Sequence, residues 1–469
     1  MIALKGSRKE IFETAPVRRA VLAQILPAIA SQLVALLYSL ADTYFVGRLN
    51  DPDQTAAVTV AGAVFLLLTA LSNLFGIGGA SIVSRKLGLK KESEAAQTSA
   101  FCFWYGAISA VIFGLCVGVF GEPILKLAGA KQASLEYAKG YLFYSVALGA
   151  LPTVATTLLS NLVRAEGASL AASIGVMLGC FINIALDPVF VLPFGLNMGA
   201  AGAGAATAVS NAVGMLYFIM HIAVSKRKRS SVLSLEPKLL RFAGSHAAEV
   251  LKIGLPSALQ YMLTVVAVSA QLSFISKYGN AAVAALGITK KLDQLPLFFS
   301  IGVANGLLPL IGYNYSSGNF ERTEKAFRFG SSISLGFALT CVAVYELLAP
   351  SLAALFIKDG QTVEYAASFL RRMVIAMPFM SICYPMITKF QAMGKAKESL
   401  TVSLMRKGVL DIPLYFALDA VMPLYGCMWV QPIVDCVSLA AAIMLNRRIV
   451  NADKRNAAKQ NRIEVGARQ

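Results

Sequence analysis

Long apolar runs alternate with short polar ones from residue 21 almost to the end of the chain. A membrane-spanning helix needs about 20 apolar residues, and on that measure the pattern predicts about twelve. They fall over 21–47, 55–84, 98–120, 136–160, 169–192, 200–224, 250–277, 281–311, 330–357, 366–391, 400–423 and 426–446. The polar stretch 225–249 divides them into two sets of six. The expected fold class is an all-α membrane protein of twelve transmembrane helices in two pseudo-symmetric six-helix lobes. The N-lobe covers 21–224 and the C-lobe 250–446, with 1–20 a leading segment, 225–249 an inter-lobe loop and 447–469 a basic tail.

The two halves resemble each other. With Pro27 set on Pro256, AIASQLVALLYSLADTYFVGRL falls on SALQYMLTVVAVSAQLSFISKY, and Asp42 meets Gln271. LVRAEGAS (162–169) then matches FQAMGKAK (390–397), and LDPVF (186–190) matches the DIPLYF around Pro413. Parallel repeats of this kind form two lobes about an axis along the membrane normal. The acids break the repeat: where one half has Asp42 and Asp187, the other has Gln271 and Ile412. Acids present in one copy only point to a task in that lobe.

Composition agrees with a membrane chain. Only 14% of the 469 residues are charged, against roughly 25% in a soluble domain. The net charge of +17 raises the question of nucleic acid. Its distribution argues against that partner. Arg18 and Arg19, Arg85 to Lys91, Arg164, Lys226 to Arg229, Arg322 to Arg328, Lys395 to Lys407 and Arg447 to Arg455 cluster on alternate loops. That asymmetry is the positive-inside pattern, and it puts both termini in the cytoplasm of a multi-pass inner (plasma) membrane protein. The opening MIALKGSRKEIFETAPVRRA is charged and lacks the features of a cleaved signal, so the first apolar run is expected to stay as a span. The seven cysteines lie in or beside apolar runs without a CxxC pair, and the two histidines stand far apart. Neither disulfides nor a zinc site is expected.

A carboxylate at membrane depth is expensive and marks an ion or proton path or a wet cavity. Asp42 sits roughly 22 Å along the helix from Pro27, with Tyr38 one turn before it on the same face. Asn183 and Asp187 share a face at i and i+4, Pro188 follows, and Thr207 is a third oxygen donor in the next span. The plainer alternatives are a helix-end acid near Arg48 and a packing network of buried polar groups. Carboxylate, amide and hydroxyl are also hard-oxygen ligands, so Asp42, Asn183 and Asp187 form the metal set if the coupling ion is sodium. Pro27 and Pro188 are candidate hinges. GAAGAG within 195–208 has the small-residue spacing of close helix approach, and lacks the Lys-Ser/Thr of a phosphate loop. In the second half Gln260, Gln271 and Asp435 are candidates for a substrate cavity. Lys290 and Asp293 are spaced to pair, and Asp411 and Asp419 read as helix-end acids.

The stretches LADTYFVGRL (40–49), NLVRAEGAS (161–169), NIALDPVF (183–190), MGAAGAGAAT (198–207) and IGLPSALQ (253–260), in this order, resemble the multidrug and toxic compound extrusion (MATE) transporters from about residue 20 to 446. The resemblance implies two six-helix lobes and export of amphipathic, often cationic compounds in exchange for protons or sodium. By position, Asp42 looks like the family's first-helix acid, Asn183 and Asp187 its fifth-helix pair, and Thr207 its sixth-helix hydroxyl. Some members also use C-lobe acids in the seventh and tenth helices, where this chain has Thr264 and a site near Ile382. That departure favours coupling in the N-lobe.

The expected function is a secondary multidrug antiporter working by alternating access. It needs no cofactor beyond a coupling ion, partners small molecules and the bilayer, and is expected to be a monomer. The alternative is a lipid-linked glycan flippase of the same architecture, kept open by Lys290, Lys291, Arg371 and Arg372. An integral membrane enzyme is the remoter possibility, since no polar cluster of the catalytic kind is present.

Overall fold

Without water to bond its backbone, a chain in lipid must satisfy each N–H and C=O internally, and a helix does so within one segment. The computed structural model describes residues 10–242 and 244–466. Residues 1–9 of the leading segment, residue 243 of the inter-lobe loop and residues 467–469 of the tail lie outside the described residues. Among the described residues the ordered elements are all helical.

After a short turn at Glu10–Thr14 come α1 (Val17–Gly47), α2 (Pro52–Gly88), α3 (Glu92–Leu127), α4 (Gln132–Leu142), α5 (Ala150–Ala165), α6 (Ser169–Val191) and α7 (Ala200–Arg227). The second half has α8 (Gly244–Ser276), α9 (Asn280–Ser316), α10 (Phe320–Ala354), α11 (Gly360–Met373), α12 (Met377–Ala392), α13 (Ala396–Leu404), α14 (Asp411–Val421) and α15 (Gly426–Gly466). Ten helical segments, with α11 and α12 counted as one, are long and apolar enough to cross a membrane. The α4–α5 pair, bent by 53°, brings the total to 11.

Three expectations change in detail. The span expected over 400–423 is divided: Lys407 (φ −137°, ψ 112°) and Gly408 (φ 113°, ψ −60°) leave helical geometry between α13 and α14. Only glycine takes the second of these without strain. The expected loop 225–249 is shorter, because α7 runs to Arg227 and α8 begins at Gly244. The expected tail from 447 continues α15 as helix to Gly466.

The packing repeats between the halves. α1 lies against α9 as α8 lies against α2, α2 meets α5 as α9 meets α12, and α1 meets α6 as α8 meets α13. At the end carrying Arg85 and Lys86, hereafter the basic end, one apolar core joins both halves, including Ile25, Ile82, Val250, Leu307 and Phe390. Toward the other end the cores are separate. One gathers Val46, Leu68, Val146 and Val191, another Phe274, Leu286, Phe369 and Val434.

Glycines let the backbones touch at the shared end. A Cβ on Gly254 would lie 1.8 Å from the Leu74 carbonyl oxygen, and one on Gly78 would lie 2.3 Å from that of Val250. Gly306 and Gly302 press on α1 at Ile25 and Ile29 in the same way. Polar bonds cross the seam too: Ser81 Oγ donates to the Gln391 carbonyl at 2.5 Å, and Arg85 pairs with Glu249 at 2.9 Å. On the far end Asp51 caps α2, and the Gln54 side chain accepts the Ala200 N–H at 2.8 Å to fix the start of α7. The Gln54 amide holds the Asp51 carboxyl below its ordinary range.

The connection between the halves is strapped to the first half. The buried Glu166 carboxylate accepts from Ser231 Oγ (2.6 Å), the Val232 N–H (2.6 Å) and the Leu233 N–H (3.2 Å). Ser99 Oγ both donates to the Ser234 carbonyl and accepts its N–H, each at 3.0 Å. Trp104 Nε1 donates to the Leu235 carbonyl at 3.0 Å. Lys226 reaches Glu236 at 2.5 Å and holds that carboxyl below its ordinary range.

Gly254→Ala is expected to destabilise the protein by about 1–3 kcal/mol through overpacking. Gly287, with nothing within 4 Å of an added Cβ, should accept alanine with no loss of stability. Thermal unfolding of both variants in detergent checks the contrast; equal melting temperatures would remove the close-packed seam.

Candidate ion-coupling site and a second charged network

Three helices of the first half bring most of the expected site together. Asn183 and Asp187 lie on one face of α6, and Thr207 faces them from α7. All three are buried, with exposures of 1%, 0% and 1%. From α1, Tyr38 Oη lies 3.3 Å from Thr207 Oγ1. The amide orientation that satisfies both Asn183 atoms has its nitrogen donating to Asp187 Oδ2 at 3.0 Å and its oxygen accepting the Thr207 N–H at 3.1 Å. Tyr38, Thr207, Asn183 and Asp187 are thus joined in one chain of polar contacts across α1, α7 and α6.

Asp42 stands beside this network. Its Oδ1 is buried and without a hydrogen-bond partner among the described residues. It is within electrostatic reach of Asp187 and Tyr38, and the cation acting on it is Lys291 of α9, not Arg48. Lys291 Nζ also donates to Thr43 Oγ1 at 3.2 Å. Two carboxylates in one water-poor region, neither hydrogen-bonded to a cation, are a costly arrangement unless a proton or a metal ion shares them.

Pro27 and Pro188 both lie inside continuous helices. Each lacks the N–H that would close a backbone bond one turn back, so each weakens its helix without breaking it. The glycine-rich stretch packs as its spacing predicts: an added Cβ on Gly202 or Gly204 would meet a carbonyl oxygen, of Phe190 or Tyr141, at 2.5 Å. No group of three or more His, Cys, Asp or Glu side chains gathers as a metal site among the described residues. A sodium ion would therefore draw on the amide and hydroxyl oxygens beside the acids.

The second half contains a network that sequence reasoning missed. Asp435, expected to face a cavity, is fully buried and accepts from Arg406 Nε at 2.7 Å and from Gln431 Nε2 at 2.8 Å. Lys407 Nζ donates to Gln431 Oε1 at 2.7 Å. Arg406 stacks over Tyr384, 4.0 Å from the ring centroid. The sequence pattern groups Arg406 and Lys407 with the basic loops, whereas the fold buries Arg406 against an acid of α15. The available signal was the acid itself: Asp435 in an apolar run requires a partner, and Arg406 is one of the few cations near enough in sequence to supply it.

The other candidates divide. Gln271 is buried and Gln260 half-buried on α8, and among the described hydrogen bonds neither side chain joins the Asp187 network. Asp419 lies near the end of α14, as expected of a helix-end acid, and accepts from Tyr278 Oη at 2.6 Å. Asp411 opens α14 but is buried. Arg371 pairs at 3.8 Å with Glu346, and Arg372 contacts Ser368 and stacks on Tyr425.

Repeated helix packing and acids held inside it define a polytopic membrane transporter of duplicated architecture. The chain belongs to the MatE family: the family model matches twice, over 27–189 and 256–417, beginning at the two aligned prolines. Its members are transporters, and the protein is not an enzyme. It is 29% identical to the multidrug export protein MepA of Staphylococcus aureus strain MRSA252, over 94% of this chain and 96% of that one. A crystal structure of MATE in complex with MaL6 superposes with a TM-score of 0.89 at 23% identity, covering 96% of this chain and all (100%) of the other. An outward-facing multidrug resistance MATE family transporter superposes with a TM-score of 0.86 at 24% identity, covering 96% and 99%. At these identities the structural likeness speaks to the fold.

Thr207→Val should cost about 1 kcal/mol by removing the hydroxyl that meets Tyr38 Oη, and Thr207→Ser should restore it; melting curves of the two report this. Asp435→Asn should cost roughly 3–5 kcal/mol because it strands Arg406 in the interior. Replacing both partners by apolar residues, as Arg406→Met with Asp435→Leu, should recover much of that loss in the same measurement.

Proposed function

We propose that this protein is a secondary multidrug efflux transporter that exports amphipathic or cationic compounds in exchange for protons or sodium. The observation that carries the reading is the polar chain Tyr38–Thr207–Asn183–Asp187, with Asp42 beside it and the Asp42 Oδ1 left without a hydrogen bond among the described residues. The substrate class draws on the multidrug export relatives. On this reading the broken segment α13–α14 is the twelfth span, the lobes are the two six-span halves, and the basic end and both termini face the cytoplasm. The protein acts as a monomer.

The mechanism follows from where the halves touch. They share one core at the basic end and keep separate cores at the other. On this reading the space between the halves is closed to the cytoplasm and open outward. Ions entering from outside neutralise Asp42 and Asp187. Neutral acids no longer repel each other, α1 can bend at Pro27, and the space between α1, α6 and α7 contracts and expels substrate. The lobes then part at the glycine seam, release the ion inward and reload. The ion can be a proton taken by either carboxyl or a sodium ion held by Asp42, Asn183 and Asp187.

The lipid-linked glycan flippase alternative asks for converging cations to hold a pyrophosphate. Arg371 and Arg372 are each tied to neighbours on α10, on α11 and in the turn before α15, and Lys291 faces Asp42. Lys290, Arg406 and Lys407 do converge, but Asp293, Asp411 and Asp435 balance them and leave no net positive charge for a pyrophosphate. Drug efflux is therefore the better reading.

Ethidium efflux from vesicles, with proton and sodium gradients imposed one at a time, tests this. Asp42→Asn and Asp187→Asn should each lower gradient-driven efflux at least about tenfold, a change of 1.4 kcal/mol or more. Full, normally coupled efflux in both variants would sink the N-lobe mechanism.

A further inference from the structure

The charged network of the second half has a property that a structural ion pair does not need: it is balanced in charge yet incomplete in bonding. Lys290, Arg406 and Lys407 act electrostatically on Asp293, Asp411 and Asp435 within one region. Arg406 and Asp435 satisfy each other in part, but among the described residues Arg406 Nη1 remains buried with no hydrogen-bond partner. Among the described residues both carboxylate oxygens of Asp411, a residue only 1% exposed, likewise lack a well-formed hydrogen bond, although the Gly408 N–H comes near and Lys407 acts on the carboxylate from a distance. An unmet guanidinium donor and an unmet carboxylate, both in the interior, each carry a large desolvation cost.

The backbone points to the same place. The chain leaves helical geometry at Lys407 and Gly408, between Arg406 and Asp411. Irregular backbone at membrane depth is tolerated where it is buried in protein or lines a cavity, and such breaks mark the binding sites of transporters. The break turns α13 into α14 so that Arg406 and Lys407 bond Asp435 and Gln431 of α15, with Asp411 and Lys290 of α9 within electrostatic reach. A purely structural pair would need neither the break nor the unmet groups.

We propose that this network is a binding site for zwitterionic substrates, with a carboxylate of the ligand taken by Arg406 and an ammonium of the same ligand taken by Asp411. A purely cationic ligand would leave the guanidinium unmet, and a purely anionic one would leave Asp411 unmet. A molecule with both groups completes the bonding and leaves the local charge unchanged. Arg406 suits the carboxylate because its position is already fixed by Asp435 and the Tyr384 ring, so little ordering is lost on binding. The inference rests on the transport reading above and deepens it by naming a substrate class.

The test is calorimetric binding to the purified full chain in detergent, with norfloxacin as a zwitterion, norfloxacin ethyl ester as its cation, N-acetylnorfloxacin as its anion, and ethidium as a permanent cation. The unmutated protein should bind the zwitterion at least tenfold more tightly than either single-charge derivative. Arg406→Lys and Asp411→Asn should each raise the norfloxacin dissociation constant at least tenfold relative to that of ethidium. The ester should be insensitive to Arg406→Lys, and the N-acetyl compound to Asp411→Asn. Equal binding of norfloxacin and its two derivatives by the unmutated protein overturns the proposal, and so does a loss of norfloxacin and ethidium binding by the same factor in both variants. Ethidium efflux with no norfloxacin binding overturns this inference and leaves the efflux reading standing. A zwitterion preference that survives while Asp42→Asn transports normally does the reverse.

Discussion

The constraint on which this structure depends is the absence of water along most of its length. In lipid, a backbone group or charge that finds no partner has no solvent to fall back on. Helices answer the backbone, and they do so almost everywhere from α1 to α15. Charges are answered in two ways. The first half holds carboxylates among an amide, a hydroxyl and a phenol, with Lys291 of α9 acting on Asp42 from the other half. The second half sets acids directly on cations, as in Arg406 and Asp435 at 2.7 Å.

The two answers fit different tasks. A carboxylate among neutral oxygens has room for a proton or a small cation and changes its charge when one arrives. A carboxylate locked to a guanidinium keeps its charge and serves to hold geometry. The duplicated architecture thus carries opposite electrostatics in its two copies. Gln271, standing where the first copy has Asp42, is one position where that divergence is already visible in the chain.

Much of this was legible in the sequence because it follows from period and polarity. Apolar run length located the ten or eleven helical segments long and apolar enough to cross a membrane but not the break within 400–423, and the Pro27–Pro256 register located the repeat that the family model matches twice. The i, i+4 spacing of Asn183 and Asp187 required a shared face, and Thr207 was close enough in the next span to meet it. Asp42 was legible as a buried acid, but not as one left outside the hydrogen-bonded chain or opposed by Lys291, because that contact joins residues far apart in sequence. Asp435 could be recognised as buried without its partner being evident. Arg406 and Lys407 looked like loop cations because they follow Lys395 and Lys397, and nothing local announces that the chain breaks at Gly408. Helix-break geometry and cross-helix partners belong to tertiary packing, which a pattern of single residues does not encode.

The strap that Glu166, Ser99 and Trp104 place on the inter-lobe connection sets the length of the leash between the halves. With 231–235 held by these side chains and Glu236 by Lys226 of α7, only 237–243 remain before α8 begins. Part of that stretch is itself coiled into a short 3-10 turn, Pro237–Phe242. Even drawn straight it spans about 25 Å. The two halves can tilt against one another only within that reach. The covalent link therefore acts as a stop on the amplitude of motion, set by four side chains of the first half.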